Sequence, residues 1–437
     1  MIQKLQQHIT NQFPFLEGKK LLIAISGGLD SVVLTQLFHT LNFDTSLAHC
    51  NFNLRSIESD ADEAFVKKIG EDLNLKTFTT SFNTNEYANK NKTSTQIAAR
   101  ELRYNWFQEL VKQHQFEYVL TAHHADDNLE TFLINLSRGT GLEGLTGIPT
   151  INKNIVRPLL IFSREEIEQY AKENSIAWRE DQSNASTKYI RNKIRHQVIP
   201  ILKEINPALL NSFQKTTDNL KGSQQIVKDS IAQLKKKIIS VDENGTTTLT
   251  ISAIQKLSNP KSCLFELLKP YGFTEWNDIE NLLSAQSGKQ VFSKTHRLLK
   301  DRDLLLLSKL SLQKKILEIS ITKSTKEILD PIHIIFENVS KIERSGKNSI
   351  FLDIEKLTFP LTLRKWQEGD YFYPIGMQGK KKLSKFFKDE KYSLIDKENT
   401  WLLCSENQIV WIVGKRLDRQ FTATVDSSHI LKAHVTH

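Results

Sequence analysis

Hydrophobic positions change period twice between Met1 and Phe38. Met1 to Gly18 is polar with apolar residues at helical spacing, and reads as a short amphipathic helix. Leu21 to Ile25 is a continuous apolar run, as a strand buried on both faces requires. Val33, Leu34, Leu37 and Phe38 then recur at helical spacing. Between strand and helix lies the small-residue turn Ser26-Gly27-Gly28-Leu29-Asp30-Ser31. The alternation continues. Residues 45–49 predict a second strand, followed by a polar loop from His49 to Arg55. Asp60 to Leu73 predicts a helix with Phe65, Val66, Ile69 and Leu73 on one face, and Lys76 to Phe82 a third strand. Asn83 to Ser94 is polar and is expected to be mobile. Gln96 to His114 predicts a long helix seated on Ile97, Leu102, Trp106, Leu110 and Val111. Tyr118 to Thr121 is again a strand running into a helix start at His123 to Thr131. Strands alternating with helices predict an α/β domain built on a Rossmann-like parallel sheet.

Past Pro207 the pattern changes. Ala208 to Lys237 is long, helical and poor in glycine. Residues 247–307 mix short strands and helices around Phe265, Leu267, Leu268, Leu282 and Leu283. The alternating, charged stretch Lys309 to Glu327 precedes a region that reads mostly as β with one helix, its final buried strand at Ile409 to Val413. The expected domains are 1–206, 207–330 and 331–437: an α/β domain, a mainly helical middle domain and a small α+β C-terminal domain.

Composition narrows the class. A chain of 437 residues with 39% hydrophobic content can fill several cores. No apolar stretch is long enough to span a bilayer, and Met1 to Gln12 lacks a signal-peptide core, so a cytoplasmic protein is expected. Cys50, Cys263 and Cys404 are far apart and never paired as Cys-x-x-Cys, which argues against a disulfide framework or a zinc or iron–sulfur site. The net charge of +9 and pI near 9.1 favour a polyanionic partner, though many proteins without one are basic.

The turn from Ser26 to Ser31 carries the first chemistry. Its glycines leave room for a ligand to touch backbone, and a helix N-terminus suits a phosphate. It lacks the Gly-Lys-Ser/Thr of a Walker A loop and the third glycine of a dinucleotide fingerprint. A second turn, His123-His124-Ala125-Asp126-Asp127-Asn128-Leu129-Glu130, crowds ionisable groups at a helix start. Helix capping accounts for one acid there, not for the whole set. Asp127 and Glu130 share a helix face and can hold an amine or a magnesium ion. Arg100 and Arg103 are three apart on the long helix, and Arg191 and Arg195 four apart on another. Each pair reads as a solvated face or as a phosphate contact. Ser137 to Gly147 is a glycine-rich loop, and Ser163-Arg164-Glu165-Glu166 a capping-box-like helix start. Lys380, Lys381, Lys382, Lys385 and Lys388 surround Phe386 and Phe387, as a nucleic-acid surface or a solvated lysine helix would.

Ser26-Gly-Gly-Leu-Asp-Ser31 resembles the pyrophosphate loop of ATP pyrophosphatases, which leave AMP on a substrate. Together with Ala99-Arg-Glu-Leu-Arg-Tyr104, His123-His-Ala-Asp-Asp-Asn-Leu-Glu-Thr131, Arg138-Gly-Thr-Gly141, Arg157-Pro-Leu-Leu160, Trp178 to Asn184 and Tyr189 to Arg195, it resembles the tRNA(Ile)-lysidine synthetases. The tail adds Gly369-Asp370, Pro374-Ile-Gly376, Lys381 to Phe386 and Trp411 to Gly414. Near residue 397, where many members carry an arginine, this chain has Asp396-Lys397-Glu398.

The resemblance implies an adenine nucleotide α-hydrolase-like catalytic domain. It also implies attachment of L-lysine to the first anticodon cytidine of a CAU-anticodon isoleucine tRNA, with ATP as co-substrate and Mg2+. Ser26, Gly27, Gly28, Leu29, Asp30 and Ser31 would bind ATP and its pyrophosphate, with Asp30 at the metal. Arg103 and His123 would act with Asp30 in catalysis, and Asp127 and Glu130 would bind lysine. Arg191, Arg195 and the lysines Lys380, Lys381, Lys382 and Lys385 would contact tRNA. A homodimer is compatible with it. Rival readings are a tRNA sulfur transferase, for which a cysteine pair is missing, a GMP or NAD synthetase, and an RNA-binding protein with a degenerate loop.

Overall fold

The computed structural model describes residues 1–436 apart from 55–56, 181–189, 242–245, 311–317 and 344–347. Arg55, the stretch Asp181 to Asn184 and Tyr189, all part of the sequence reading, lie outside the described residues. The chain forms two compact units, Met1–Asp229 and Ser230–His437.

The first unit is built on six strands: β1 (Leu21–Ala24), β2 (Thr45–Asn51), β3 (Thr77–Ser81), β4 (Tyr118–Leu120), β5 (Ile151–Asn152) and β6 (Ile155–Val156). They lie in the order β3-β2-β1-β4-β6-β5, all parallel except β5 against β6. Successive side chains of β1 point to opposite faces. Leu21 and Ile23 join one buried cluster with Leu34, Phe38, Val156 and Phe162, while Leu22 joins another with Phe107, Leu110 and Val119. The helices are α1 (Ile2–Gln12), α2 (Leu29–Thr40), α3 (Ile57–Asp72), α4 (Thr84–Lys90), α5 (Thr95–His114), α6 (Ala125–Arg138), α7 (Leu142–Leu145), α8 (Arg164–Glu173), α9 (Ile190–Lys193) and α10 (Ile199–Ile205), and α11 (Leu209–Ile238) begins in this unit and ends in the second. A π-turn, Ile194–Val198, joins α9 to α10. The order of strands reverses between β1 and β4. An open parallel sheet binds ligands in the crevice at the carboxyl ends of such a pair. Both chemical turns identified in the sequence leave those two ends.

Two expectations for this unit change. The polar stretch after β3 is not a loose loop: it forms α4, whose N-terminus is capped by Asn83 Oδ1 accepting from the Glu86 N–H at 3.3 Å. Thr84 anchors it by donating to the Phe52 carbonyl at 2.8 Å. Local side-chain caps supply what apolar periodicity does not show. In α5 the buried positions are Ala98, Phe107 and Leu110, and Ile97 stands exposed.

In the second unit, a five-stranded antiparallel sheet runs β7 (Ile239–Val241), β8 (Thr247–Thr250), β11 (Leu304–Lys309), β10 (His296–Asp301), β9 (Gln290–Phe292). Helices Ile251–Gln255, Pro260–Leu268 and Trp276–Asn281 share its core through Ile254, Leu264, Leu267, Leu268 and Ile279. Phe265, expected inside, is 40% exposed. The C-terminal part pairs a five-stranded and a four-stranded sheet around Phe336, Leu352, Leu363, Leu403 and Trp411. The last strand is Ile430–Val435, not Ile409 to Val413. It lies between Ile334–Val339 and Ser349–Asp353, pairing with both.

Candidate active site

The loop after β1 is held in shape by its own short side chains. Ser31 Oγ accepts from the Ser26 N–H at 3.1 Å and donates to the Gly28 carbonyl at 3.0 Å. Ser26 Oγ lies 3.2 Å from Ser31 Oγ and accepts from the Gly28 N–H at 3.3 Å. Gly27 takes φ +87°, a conformation that costs any residue with a Cβ. Its carbonyl accepts from the Arg179 N–H at 3.0 Å, and the Arg179 side chain in turn grips Asp62 and Glu58 of α3. Leu29 buries its side chain in the core, so it can offer a ligand only backbone. The result is a preformed turn at a helix N-terminus, suited to a phosphate.

Asp30, in the first turn of α2, binds Arg164 of α8 through Oδ2 at 2.9 Å. Its Oδ1 is buried without a hydrogen-bond partner. Burial holds its pKa above the usual carboxylate range, against the pull of His124 and Arg164.

The turn after β4 faces this loop. His123 Nδ1 lies 3.0 Å from Thr121 Oγ1. Burial, reinforced by Arg157, Arg191 and Arg100, pushes its pKa down to about 4 against the opposing field of Asp127, so the ring is neutral near pH 7. His124 is enclosed. Its Nε2 lies 3.8 Å from Asp30 Oδ2 and 3.4 Å from Asp127 Oδ2, and its Nδ1 3.7 Å from Asp126 Oδ2. Burial alone would lower its pKa; the three acids together raise it.

Asp127 works on both sides. Oδ2 accepts from the His124 N–H at 3.1 Å, closing the start of α6, while Oδ1 meets Arg195 at 3.3 Å. Glu130 is fully buried, with Arg195 Nε at 2.5 Å and Nη2 at 3.1 Å on its two oxygens and Arg191 Nε at 3.4 Å. Arg191 also donates to Thr131 Oγ1 at 2.8 Å. The four-residue spacing of the two arginines thus turns both toward the acids of α6. Burial lowers the Arg195 pKa less than Glu130 and Asp127 raise it.

Sequence reasoning missed several members of this cluster. Arg164 was visible only as part of a capping box, which does form: Ser163 Oγ accepts from the Glu166 N–H at 3.0 Å, and Glu166 Oε2 from the Ser163 N–H at 2.7 Å. Arg164 additionally gives its N–H to Asp126 at 2.8 Å. Lys203 of α10 pairs with Asp126 at 3.2 Å, with no motif to announce it. Asn128 Oδ1 accepts from the Ile148 N–H at 2.5 Å and Asn135 Nδ2 donates to the Gly144 carbonyl at 2.9 Å, pinning the glycine-rich loop to α6.

Arg103 stands apart from the acids, its guanidinium over the Phe52 ring at 5.1 Å beyond the end of β2. Nearby Cys50 has its thiol pushed up to about 12 by burial, against the opposing field of Arg103, the reverse of an activated cysteine.

The tail lysines belong to the second unit. Lys380, Lys382 and Lys385 are exposed, Lys380 over Tyr371 at 4.9 Å, while Lys381 pairs with Asp389 at 2.8 Å. Phe386 and Phe387 pack inward with Phe372, Leu402 and Ile412. They offer no stacking platform, and what reaches solvent is a lysine-rich helix face.

A serine- and glycine-shaped turn at the switch point of a parallel sheet, opposed by an acidic helix start, defines an ATP-dependent enzyme of the PP-loop class, and a PP-loop domain model matches residues 1–202. Models of the TilS substrate binding domain and the TilS substrate C-terminal domain match residues 242–310 and 361–432. A tRNA(Ile)-lysidine synthase from Parabacteroides distasonis is 41% identical, covering 99% of both chains. One from Bacteroides thetaiotaomicron is 39% identical over 96% of both. One from Bacillus subtilis is 30% identical over 91% of this chain and 90% of that one. The chain belongs to the tRNA(Ile)-lysidine synthase family.

Proposed function

We propose that this enzyme joins the ε-amine of free L-lysine to C2 of the first anticodon cytidine in the CAU-anticodon isoleucine tRNA, forming lysidine. The observation that carries the reading is the juxtaposition of the two turns: His124 Nε2 lies within ion-pair distance of both Asp30 of the preformed phosphate loop and Asp127 of an acid pair suited to an ammonium group.

The base oxygen is a poor leaving group and must be activated first. The cytidine O2 attacks the α-phosphate of ATP, the α–β bridge breaks, and pyrophosphate departs. Backbone N–H groups of the Ser26 to Ser31 turn and the two serine hydroxyls hold that pyrophosphate. The orphaned Asp30 Oδ1 fits a single protein ligand for Mg2+, with phosphate oxygens and water completing the shell. Among the described residues no cluster of three or more His, Cys, Asp or Glu could hold a metal by itself. Bound there, Mg2+ would neutralise phosphate charge.

In the second step the lysine nitrogen attacks C2, and the O2 leaves with AMP. The amine must arrive unprotonated. Asp127 and Glu130 orient the amino groups of lysine, displacing part of the guanidinium contact they now make. A neutral His123 contributes hydrogen bonding at the reacting phosphate rather than a positive charge, and Arg103 supplies the cation. Arg191, Arg195 and the exposed Lys380, Lys382 and Lys385 are candidates for the tRNA backbone.

The test is incubation with ATP, radiolabelled lysine and tRNA. Label should enter the CAU-anticodon isoleucine tRNA and no other tRNA. Lysine left free while another nucleophile is consumed with ATP would overturn the assignment.

A further inference from the structure

His124 has no role in the reaction just described, yet it is buried between the two turns, with 2% of its side chain exposed. It starts α6 from the end of β4. Its Nε2 is shared by Asp30 from the phosphate loop and Asp127 from the acidic turn, at 3.8 and 3.4 Å. Each of those acids has a second partner: Arg164 on Asp30 and Arg195 on Asp127. On the other side of the ring, Asp126 is fixed by the Arg164 N–H and by Lys203. The imidazole thus faces Asp126 with Nδ1, at 3.7 Å and without a hydrogen bond, and with Nε2 lies between two carboxylates that answer to different substrates.

We propose that His124 is a positioning residue that couples the nucleotide loop to the amine-holding turn. This rests on the reading above of Asp30 as a nucleotide-side and Asp127 as a lysine-side group. With Asp30 engaged on the nucleotide side, where it would hold Mg2+, the His124 Nε2–H would be left to Asp127 and would set its carboxylate for the incoming amine. Filling the lysine side works back on Asp30 by the same linkage. The enzyme then binds lysine in the reactive position chiefly when ATP is in place.

The test is calorimetric titration of L-lysine into full-length protein saturated with the CAU-anticodon transcript. It is run with and without Mg2+ and an ATP analogue carrying a methylene at the α,β bridge. Wild type should show lysine affinity about fivefold or more tighter with the analogue, at the low end of ordinary coupling between sites. His124→Gln places an N–H donor near Nε2 and should keep that factor. His124→Asn places its donor near Nδ1 and should reduce the factor to less than about twofold. A structural role alone would make the two variants alike. Equal behaviour of the two, or no coupling in wild type, overturns the proposal; should His124→Asn fail to fold, loss of the factor in His124→Gln overturns it and its retention supports it. Absence of all lysine binding would instead sink the functional reading. The bridge would then be judged on analogue affinity, which His124→Asn should weaken and His124→Gln should preserve, and no difference between them would overturn it.

Discussion

The phosphate loop and the acidic turn sit at the ends of neighbouring strands and are built in opposite ways. Ser26 to Ser31 is shaped mainly by contacts within six consecutive residues, with Arg179 on the Gly27 carbonyl and Arg164 on Asp30 as outside tethers. The His123 to Glu130 turn is shaped by charges brought from afar, Arg191, Arg195 and Lys203, with the Arg164 N–H on Asp126. A site that must present fixed N–H groups to a phosphate can be made from backbone and hydroxyls. A site that must hold a cationic substrate needs buried acids, and those need counter-charges until the substrate arrives. The loop should therefore tolerate distant changes, and the turn should not.

The sharpest way to break this contrast is Glu130→Ala. It removes the two-oxygen partner of Arg195 and leaves that guanidinium on Asp127 alone beside a buried hole; breaking a buried pair costs at most about 3–5 kcal/mol, and the partial exposure of the arginines keeps the loss toward or below the low end. Denaturant midpoints should fall accordingly, while Glu130→Leu combined with Arg195→Met should recover most of the loss. No recovery would mean the pair is not what the cost measures.

Asp127→Ala is milder in stability and more selective in chemistry. It removes a charged hydrogen-bond acceptor from the amine, so lysine transfer should slow by roughly 10- to 100-fold. Pyrophosphate release in the absence of lysine should change much less. Rapid-quench measurement of both steps decides, and equal loss in the two would contradict the lysine-holding role.

Ser31→Ala tests the loop. Losing the hydroxyl that both accepts and donates within the turn should cost about 1 kcal/mol and slow pyrophosphate release about tenfold, with lysine affinity at saturating nucleotide unaffected. A change in lysine affinity alone would reverse the division of labour between the two turns.

A separate effect, on stability alone, is the pH dependence carried by His123. Its folded pKa, about 4, lies below the unfolded value of 6.5. As pH falls from 6.5 the unfolded chain takes up the proton first, so stability present above 6.5 is lost progressively toward pH 4. His123→Gln should flatten that part of the thermal-midpoint curve relative to wild type; an unchanged slope would show that His123 is not held neutral.

The same contrast explains what the sequence disclosed. The parallel sheet, α5 and the phosphate loop were legible because a buried strand, a long helical period and a glycine turn each leave a local signature. The acid pair of Asp127 and Glu130 was legible as an excess over capping. Their counter-ions were not recognised as such: nothing in the spacing of Arg191 and Arg195 says that they face α6, and Lys203 sits in no motif. α4 was missed because its start is written in Asn83 and not in apolar periodicity. Strand Ile430–Val435 was missed because its partners lie far back in the chain. The phenylalanines of the lysine-rich tail looked like stacking groups because composition does not show which side of a short helix is buried.

The central claim is that the loop activates the base and the turn then delivers lysine. The direct measurement is a single-turnover reaction with α-labelled ATP and the CAU-anticodon tRNA, first without lysine. The account predicts label on the tRNA as a bound AMP, which is discharged when lysine is added and replaced by lysidine. Label appearing on lysine instead, or no labelled tRNA before lysine is present, would contradict it.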